Sequence, residues 1–360
     1  MTQTVFYGIC GEGLGHFSRA AFLVPQLVSA GYSVELFTSG RVAGLCEERF
    51  HGCRLHHIQG LHMRYRDNAL DAPGTILSYA SMVAWWPRAL LCVTKRARLC
   101  RPVAAISDYE PVVAWAASAL RIPLITLDHQ QVATECETES ASSNGLSFLL
   151  LRLSNRMTYP RPKLRIITSF FHAPLREQPQ RRRTERAIVG PVLRPEVIRR
   201  YPTRGSHVVV YQTSRSLGWL DRILSAFPGE KRVYGVGQKQ SRQPERTFSE
   251  DAFLDDLASC RFALVNGGHT TITEALYFGK PVLCFPVRGQ AEQEINAHYV
   301  AKMGFGKDYR AGKGEVPDFG DFLRQEETIL QAIARGKERC GNDDLMRIVL
   351  SRLTRWSHTR

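Results

Sequence analysis

The sequence predicts an α/β protein with two parallel-sheet domains, and three observations support this. Short apolar segments alternate with helical patterns in the first half of the chain, and the same alternation begins again after residue 205. A stretch rich in proline and arginine separates the two series. Alternating strands and helices are typical of a parallel sheet covered by helices. The length of 360 residues also suits two domains.

The first domain is assigned to residues 1–185. Its predicted strands are residues 4–10, 33–38, 103–107, 122–127 and 164–168. A glycine-rich turn follows the first strand, and a helical pattern then begins at His16. The order of strand, glycine turn, helix and strand is the usual opening of a doubly wound sheet.

A linker is predicted at residues 186–204 and the second domain at 205–325. The strands of the second domain are predicted at 207–212, 231–236, 261–265 and 281–285, with helices at 250–259, 270–278 and 291–303. The helical segments within 326–360 are expected to cross back to the first domain.

The net charge, the cysteine spacing and the N-terminal residues limit which classes of protein this chain can belong to. The formal net charge of +14 attracts polyanions such as nucleic acid, anionic lipid or a diphosphate substrate. The nine cysteines form no CxxC pair and no cluster with zinc spacing, so we expect no metal. The N-terminus lacks the basic start of a signal peptide, and the apolar runs are too short to span a bilayer. We therefore expect a soluble, cytoplasmic protein.

The first candidate site is the turn Gly11–Gly15 with His16. Glycines at the end of a strand allow a tight turn and a close approach to a ligand, and the following helix start favours negative charge. Position 16 is histidine, so the turn is not a dinucleotide fingerprint. A histidine there can accept a proton from an attacking hydroxyl. Asp108 ends another strand of this domain and is the candidate for the carboxylate that orients His16.

Asp128, His129 and Gln130 end the next predicted strand. Because the carboxyl ends of parallel strands meet at one edge of a sheet, we expect these three residues to line the acceptor side of the same cleft.

The second candidate site is the segment Asn266–Ala297. A strand ends at Val265, and the turn Asn266-Gly267-Gly268 leads to Thr270 and Thr271 at the start of a helix, which suits a diphosphate. Glu274 lies about one helical turn further on and could accept hydrogen bonds from ribose hydroxyls. After the next strand, a polar loop contains Gln290, Glu292 and Gln293, which suit sugar hydroxyls.

This segment resembles the donor-binding signature of GT-B fold glycosyltransferases. These include the MurG-like N-acetylglucosaminyltransferases, the glycolipid glycosyltransferases and the UDP-glucuronosyl/glucosyltransferase superfamily. The resemblance rests on the ordered elements turn, Gly, Thr, Glu, Gly-Lys-Pro, Pro and Glu-Gln-x-x-Asn-Ala, and on the Gly-x-Gly-x-Gly-His start. It is tight in these motifs and weaker over the rest of the chain. Its closest match is a little-characterised MurG-like group with a Gly-Leu-Gly-His start.

The resemblance implies two Rossmann-like domains facing a cleft and roles for individual residues. His16 and Asp108 match the catalytic pair, whereas Gly15 belongs to the donor side. Gly267, Gly268, Thr270 and Thr271 match diphosphate-binding positions, and Glu274 matches the ribose-binding glutamate. Gln290, Glu292 and Gln293 fall in the region that holds the donor sugar. Asn266 departs from the pattern because many members have a phosphate-binding histidine there.

The activity implied is inverting, metal-independent transfer of a sugar from a nucleotide sugar, with UDP favoured, and without a bound cofactor. The acceptor would be a small molecule or a lipid-linked molecule. Apolar, aromatic and basic residues mix at 75–102 and 146–157, which is typical of an interfacial helix and suggests peripheral membrane contact. Two alternatives remain open: a GT-B fold UDP-sugar 2-epimerase, and a basic nucleic-acid-binding protein, for which charge is the only support.

Overall fold

The computed structural model describes residues 2–60, 65–66, 69–70, 72–139, 145–178, 184–212, 220–227, 229–235, 249–309, 318–336 and 340–358. The side chains at 65–84 and at 220–221 lie outside the described part, so the side chains of the apolar segment 75–102 are described only from residue 85 onward.

The strands and helices alternate along both halves of the chain. The first half contains β1 (Thr4–Ile9), α1 (Leu14–Ser29), β2 (Ser33–Thr38), α2 (Gly40–Arg49), β3 (Arg54–His57), β4 (Tyr65–Arg66), β5 (Ala69–Leu70), α3 (Ala72–Cys100), β6 (Ala104–Asp108), α4 (Pro111–Ala119), β7 (Leu124–Asp128), α5 (Val132–Glu135), α6 (Gly145–Thr158), β8 (Leu164–Thr168) and β9 (Glu185–Val189). The second half contains α7 (Pro195–Ile198), β10 (Val208–Tyr211), α8 (Leu220–Ala226), β11 (Lys231–Tyr234), α9 (Glu250–Ser259), β12 (Phe262–Val265), α10 (His269–Tyr277), β13 (Val282–Cys284), α11 (Ala291–Lys302), β14 (Gly306–Asp308), α12 (Phe319–Arg324), α13 (Glu326–Arg335) and α14 (Asn342–Ser357).

Two parallel sheets form the centre of the fold. The first has the strand order β3-β2-β1-β6-β7-β8-β9, and the second has the order β11-β10-β12-β13-β14. Neighbouring strands in both sheets are parallel. The strand order reverses between β1 and β6 in the first sheet and between β10 and β12 in the second. Open α/β sheets bind ligands at such switch points, at the carboxyl ends of the strands.

The linker begins later than predicted. We expected it at residues 186–204, but β9 pairs with β8 from Leu164↔Glu185 to Thr168↔Val189. The first sheet therefore extends to Val189. The sequence predicts only a short strand near residues 188–189 inside the linker. Its full length is not evident, because an edge strand carries a weak apolar pattern: residues Glu185–Ile188 are exposed or only partly buried.

The last helix packs on the first domain. Leu345, Val349 and Leu353 are fully buried in the apolar core that also contains Val5 and Tyr7 of β1. Their spacing of four residues forms one stripe along α14. Asn342, the first residue of α14, accepts a hydrogen bond from the Leu193 amide at 2.9 Å and donates one to the Leu193 carbonyl at 2.8 Å. The C-terminal helix thus holds both the first domain and the linker.

Candidate active site

His16 and Asp108 lie side by side at the switch point of the first sheet. Ile9, the last residue of β1, pairs with Asp108, the last residue of β6, and α1 begins five residues after Ile9. The Nδ1 atom of His16 lies 2.6 Å from Oδ1 of Asp108. Asp108 is fully buried, and 7% of His16 is exposed. The structure thus places the two residues of the predicted pair in direct contact.

The turn between β1 and α1 requires its glycines. Gly13 has a φ of +82°, a conformation that side chains rarely adopt. A Cβ on Gly11 would stand 2.0 Å from Oγ of Ser39 and 2.6 Å from its carbonyl oxygen. The turn is therefore pressed against the end of β2, and this contact fixes where α1 begins.

Arg19 contacts the same carboxylate, and sequence reasoning missed it. Its Nε donates to Oδ2 of Asp108 at 2.7 Å, and its Nη2 donates to Oδ1 at 2.6 Å. Burial raises the pKa of Asp108, but Arg19 and His16 outweigh it, so the pKa lies below its ordinary value. The available signal was spacing: residues three apart on a helix share a face.

Glu110, two residues after Asp108, is the N-cap of α4. Its Oε1 and Oε2 accept hydrogen bonds from the amides of Val112 and Val113 at 2.8 and 2.7 Å. Tyr109, between Glu110 and Asp108, has a φ of +54°, which is uncommon for a residue with a side chain. This backbone conformation separates the two acids, so that Glu110 caps the helix and Asp108 is left to contact His16.

The turn that follows β12 forms the second half of the site. Gly267 has a φ of +96°, and a Cβ on it would meet the Gln293 carbonyl oxygen at 2.9 Å. Asn266 is buried, and its Nδ2 donates to Oε1 of Gln212 at 2.5 Å. Gln212 follows β10, so these two amides span the switch point of the second sheet. Gly268 then caps the start of α10.

The starts of α1 and α10 pack against each other. A Cβ on Gly15 of α1 would stand 2.5 Å from Oγ1 of Thr270 on α10. Thr270 and Thr271 are both partly exposed. Within the described part of the chain, the predicted proton acceptor and the predicted diphosphate site therefore border one space.

Glu274 is buried on α10 and pairs with Arg194 of the linker. Nε of Arg194 donates to Oε1 of Glu274 at 2.8 Å, and Nη1 of Arg194 also contacts Glu250. Burial raises the pKa of Glu274, and Arg194 only partly offsets this effect. Sequence reasoning missed Arg194, because it lies in a stretch rich in proline and arginine that indicated only a linker.

The polar loop after β13 meets the first domain. Gln293 is buried, and its Oε1 accepts a hydrogen bond from the Val287 amide at 3.0 Å, which shapes the loop. Glu292 is partly exposed and accepts a hydrogen bond from Gln130. Burial and the neighbouring Asp128 raise the pKa of Glu292 to about 7. Gln290, just before α11, is also partly exposed.

Of the three residues expected on the acceptor side, only Gln130 has partial exposure. Asp128 is fully buried, where Oδ1 accepts from the Gln131 amide at 2.8 Å and Oδ2 accepts from the Tyr159 hydroxyl. Burial raises its pKa to about 6. Its carboxylate therefore does not line the surface of the cleft, because it caps the turn at the end of β7.

His129 lies between the domains and not on the cleft surface. Its Nδ1 donates to the Thr168 carbonyl at 2.7 Å, and its Nε2 lies 2.6 Å from Oδ1 of Asn296 on α11. Its ring stacks on that of His269, with ring centres 3.9 Å apart. Burial lowers the pKa of His129 to about 4. Asn296 in turn donates to the Gly267 carbonyl at 3.0 Å, so a chain of contacts joins the first domain to the turn that precedes α10.

Within the described residues, no group of three or more His, Cys, Asp or Glu side chains is arranged to hold a metal ion. The same part of the chain contains no helix that is both long enough and apolar enough to cross a membrane.

Curated relatives are similar to this chain over most of its length. An uncharacterised glycosyltransferase of Methanosarcina mazei is 25% identical over 328 residues, which is 83% of each chain. One from Methanosarcina acetivorans is 26% identical over 335 residues, again 83% of each chain.

Solved structures share the fold at low sequence identity. Phytolacca americana UGT2, complexed with UDP-2fluoro-glucose and pterostilbene, has a TM-score of 0.69 at 13% identity and covers 97% of this chain and 99% of its own. Acinetobacter baumannii MurG has a TM-score of 0.60 at 16% identity, with coverage of 97% and 99%. The prediction of a GT-B fold is confirmed. The model of glycosyl transferase family 1 matches residues 3–325, so this chain belongs to that family and is a glycosyltransferase of the GT-B type.

Proposed function

We propose that the chain transfers a sugar from a nucleotide diphosphate sugar, preferably a UDP-sugar, to an acceptor hydroxyl with inversion at the anomeric carbon. The close approach of Gly15 to Thr270 carries this proposal. It brings the His16 end of α1 to the N-terminus of α10, so a proton acceptor and a diphosphate site share one cleft. The complex of the similar Phytolacca enzyme with UDP-2fluoro-glucose supports UDP as the nucleotide.

In the proposed reaction, Nε2 of His16 takes the proton of the acceptor hydroxyl. The hydroxyl oxygen attacks the anomeric carbon from the face opposite the diphosphate. The bond to the diphosphate oxygen breaks, and the leaving nucleoside diphosphate keeps the electron pair. Asp108 holds Nδ1–H of His16, which leaves Nε2 free to act as the base. One displacement of this kind inverts the anomeric centre.

The leaving group would be held by the turn and helix start at Gly267–Thr271. Backbone amides and the positive end of the α10 dipole stabilise the charge that develops on the diphosphate. Glu274 would bind the ribose hydroxyls, while Gln290, Glu292 and Gln293 would hold the donor sugar. Because this stabilisation comes from the protein's own groups, we propose that transfer needs no metal. Full activity after dialysis against EDTA is the expected result.

A thermal-shift screen of nucleoside diphosphates and nucleotide sugars tests the donor. A ligand at 100 times its Kd stabilises the folded protein by about 2.7 kcal/mol, a measurable shift. We expect UDP and at least one UDP-sugar to raise Tm. No shift with any nucleotide, together with salt-sensitive binding to RNA or DNA, would instead favour the nucleic-acid alternative.

The catalytic step is tested with His16→Ala and the identified donor. We expect loss of transfer of about 100-fold or more with nearly unchanged UDP affinity. The matched control is His57→Ala, since His57 is exposed and pairs with Glu47 away from the site. Proton NMR of the product should show an inverted anomeric configuration. Free epimerised sugar formed without acceptor would replace this proposal with the 2-epimerase.

We further propose a lipid-linked acceptor and peripheral membrane contact through α6. This helix exposes a stripe of large apolar side chains: Leu146, Leu149, Leu150, Leu153 and Met157. Trp115 is 42% exposed and donates from Nε1 to the Met157 carbonyl at 2.8 Å, which continues the patch. The helix also carries Arg152 and Arg156 and contains no acidic residue. An apolar stripe beside basic residues suits the surface of an anionic bilayer.

Vesicle sedimentation tests the membrane contact. We expect binding to vesicles containing phosphatidylglycerol and much weaker binding to pure phosphatidylcholine. The double variant Leu149→Gln/Leu153→Gln should lose this binding. Val28→Gln is the matched control, because Val28 is 47% exposed on α1, outside both segments predicted to contact the membrane. Equal binding by the double variant and the wild type would reject α6 as the contact.

A further inference from the structure

Arg19 is a buried charge inside the candidate active site. Only 4% of the residue is exposed, and it lies one turn after His16 on α1. Removing a guanidinium from water costs several kcal/mol unless a partner compensates. Its partner is Asp108, which is itself fully buried. The ion pair with Asp108 therefore offsets a desolvation cost that an apolar residue at position 19 would not have.

The contact is bidentate and shares an atom with the catalytic pair. Oδ1 of Asp108 lies 2.6 Å from both Nη2 of Arg19 and Nδ1 of His16, and these two nitrogens are 2.8 Å apart. A second bond joins Nε of Arg19 to Oδ2. Two parallel bonds to a planar guanidinium fix the plane of a carboxylate. Asp108 thus cannot rotate away from the imidazole without breaking both.

The arrangement also selects the tautomer of His16. Arginine has only donors, so the hydrogens of Arg19 point at the carboxylate, which is the stronger acceptor. Asp108 then offers Oδ1 to Nδ1–H of His16. In this tautomer Nε2 carries no proton and can accept one from the substrate.

Other titratable groups face Asp108 from neighbouring elements. Asp128 on β7 is a second buried acid, and the pKa of Tyr7 on β1 and of Tyr159 after α6 is raised well above the ordinary value, so both phenols stay neutral. Burial alone raises the pKa of Asp108, and Arg19 provides the largest opposing effect. Without Arg19, a carboxyl group in this position would hold its proton to a higher pH and would be a weaker, uncharged acceptor for the Nδ1–H.

We propose that Arg19 is a positioning residue that keeps Asp108 ionised and oriented toward His16, so that three residues and not two make up the catalytic unit. This inference rests on the function proposed above, in which His16 is the base. Arg19 itself does not touch the substrate in this proposal, and it acts through Asp108.

The test compares Arg19→Met, Arg19→Lys and Arg96→Met. Arg96 on α3 makes the same kind of bidentate contact, with Glu35 on β2, at 2.7 and 2.5 Å. Arg96→Met therefore controls for the loss of a bidentate ion pair other than the one at Asp108. We expect Arg19→Met to lower kcat about 100-fold with less than about threefold change in donor KM. The acid limb of its pH profile should move to higher pH by about one unit or more. Arg19→Lys should recover part of kcat.

A measurement without substrate separates this inference from the proposed function. In protein labelled with ¹³C at aspartate carboxyls, with Asp108→Asn used for assignment, the Asp108 signal should titrate at higher pH in Arg19→Met than in the wild type. Arg19→Lys allows the same titration if Arg19→Met does not fold. The role of Arg19 would be overturned if Asp108 titrated at the same pH in Arg19→Met as in the wild type. It would also be overturned if Arg19→Met and Arg96→Met lowered kcat equally and the pH profile of Arg19→Met did not move. Full activity of His16→Ala beside a shifted Asp108 titration would overturn the proposed base instead.

Discussion

A methyl group on the Cα of Gly15 would stand 2.5 Å from Oγ1 of Thr270, a separation too short for any Cβ contact. Gly15 belongs to the first domain and Thr270 to the second, and each lies in the first turn of its helix. The missing side chain at Gly15 is therefore what allows the two helix starts to approach. The glycine motif therefore allows contact between the two domains, in addition to forming the local turn.

Gly15→Ala should disturb the donor site without destabilising the protein. Alanine is favoured over glycine within a helix, so Tm should not fall, while the added methyl group pushes Thr270 from its position. We expect kcat/KM for the donor to decrease about 10- to 100-fold. Steady-state kinetics and a thermal melt check both parts.

Gly44→Ala is the matched control for that change. Gly44 lies within α2, and a Cβ there would meet nothing within 4 Å. The substitution should raise stability by about 0.5–1 kcal/mol and leave the kinetics unaltered. If Gly15→Ala also leaves the kinetics unaltered, the close approach of Gly15 to Thr270 does not contribute to activity.

Asn296→Asp should weaken binding of the diphosphate. Oδ1 of Asn296 contacts Nε2 of His129, and Nδ2 of Asn296 donates a hydrogen bond to the Gly267 carbonyl. Aspartate has no hydrogen to donate, so it would leave the buried carbonyl unpaired and repel the turn. We expect Kd for UDP to rise about 10-fold, measured by calorimetry, at about 1.4 kcal/mol per tenfold change. Affinity for uridine, which has no diphosphate, should remain the same, and an equal loss for both ligands would contradict a role in the turn.

The ribose assignment of Glu274 can be tested by discrimination between ligands. Wild-type protein should bind UDP more tightly than 2′,3′-dideoxy-UDP, because the second ligand lacks the ribose hydroxyls that would donate to the Glu274 carboxylate. In Glu274→Ala the two ligands should bind with equal, reduced affinity. Glu250→Ala is the control, since Glu250 also contacts Arg194 but is more exposed. Discrimination that survives in Glu274→Ala would assign Glu274 to holding Arg194 alone.

The sequence predicted most elements because local and long-range signals agreed. The strands β6 and β12 begin as short apolar runs and are fully buried, as parallel strands are. Polar residues mark their carboxyl ends: β6 finishes with Ser107 and Asp108, and Asn266 follows β12. Strand ends then located His16, Asp108 and Asn266 at the switch points. The strand β14 was not predicted, because three residues with one glycine and two charges show no apolar pattern.

Arg19, Arg194 and the true position of His129 could not be predicted in the same way. A buried arginine resembles a surface arginine in sequence, because its burial depends on a carboxylate far along the chain, such as Asp108, 89 residues away. His129 has the strand-end position of a cleft residue. It is instead covered by α11, whose packing on the first domain depends on the relative placement of both domains.

Glu35 should make the stability of the first domain depend on pH. It is 4% exposed on β2 and contacts Arg96, His56 and Cys100. Burial alone raises the pKa of Glu35, but the hydrogen bonds from these partners outweigh burial and lower it from 4.5 to about 2. A carboxyl group whose pKa falls on folding stabilises the folded state above the unfolded pKa. That contribution is lost as the pH falls toward the folded pKa.

Glu35→Gln should therefore reduce the free energy of unfolding by about 2 to 3 kcal/mol at pH 7. The difference between wild type and variant should shrink as the pH falls from about 4.5 toward 2, because protonated glutamate and glutamine then have the same charge. Urea denaturation at pH 7, 5, 4 and 3.5 measures this difference, in which titration of all other groups cancels. Glu47→Gln, at an exposed pair with His57, should differ little from wild type at any of these values. A gap for Glu35→Gln that stays constant from pH 7 to 3.5 would mean that packing, and not the charge of Glu35, holds α3 to β2.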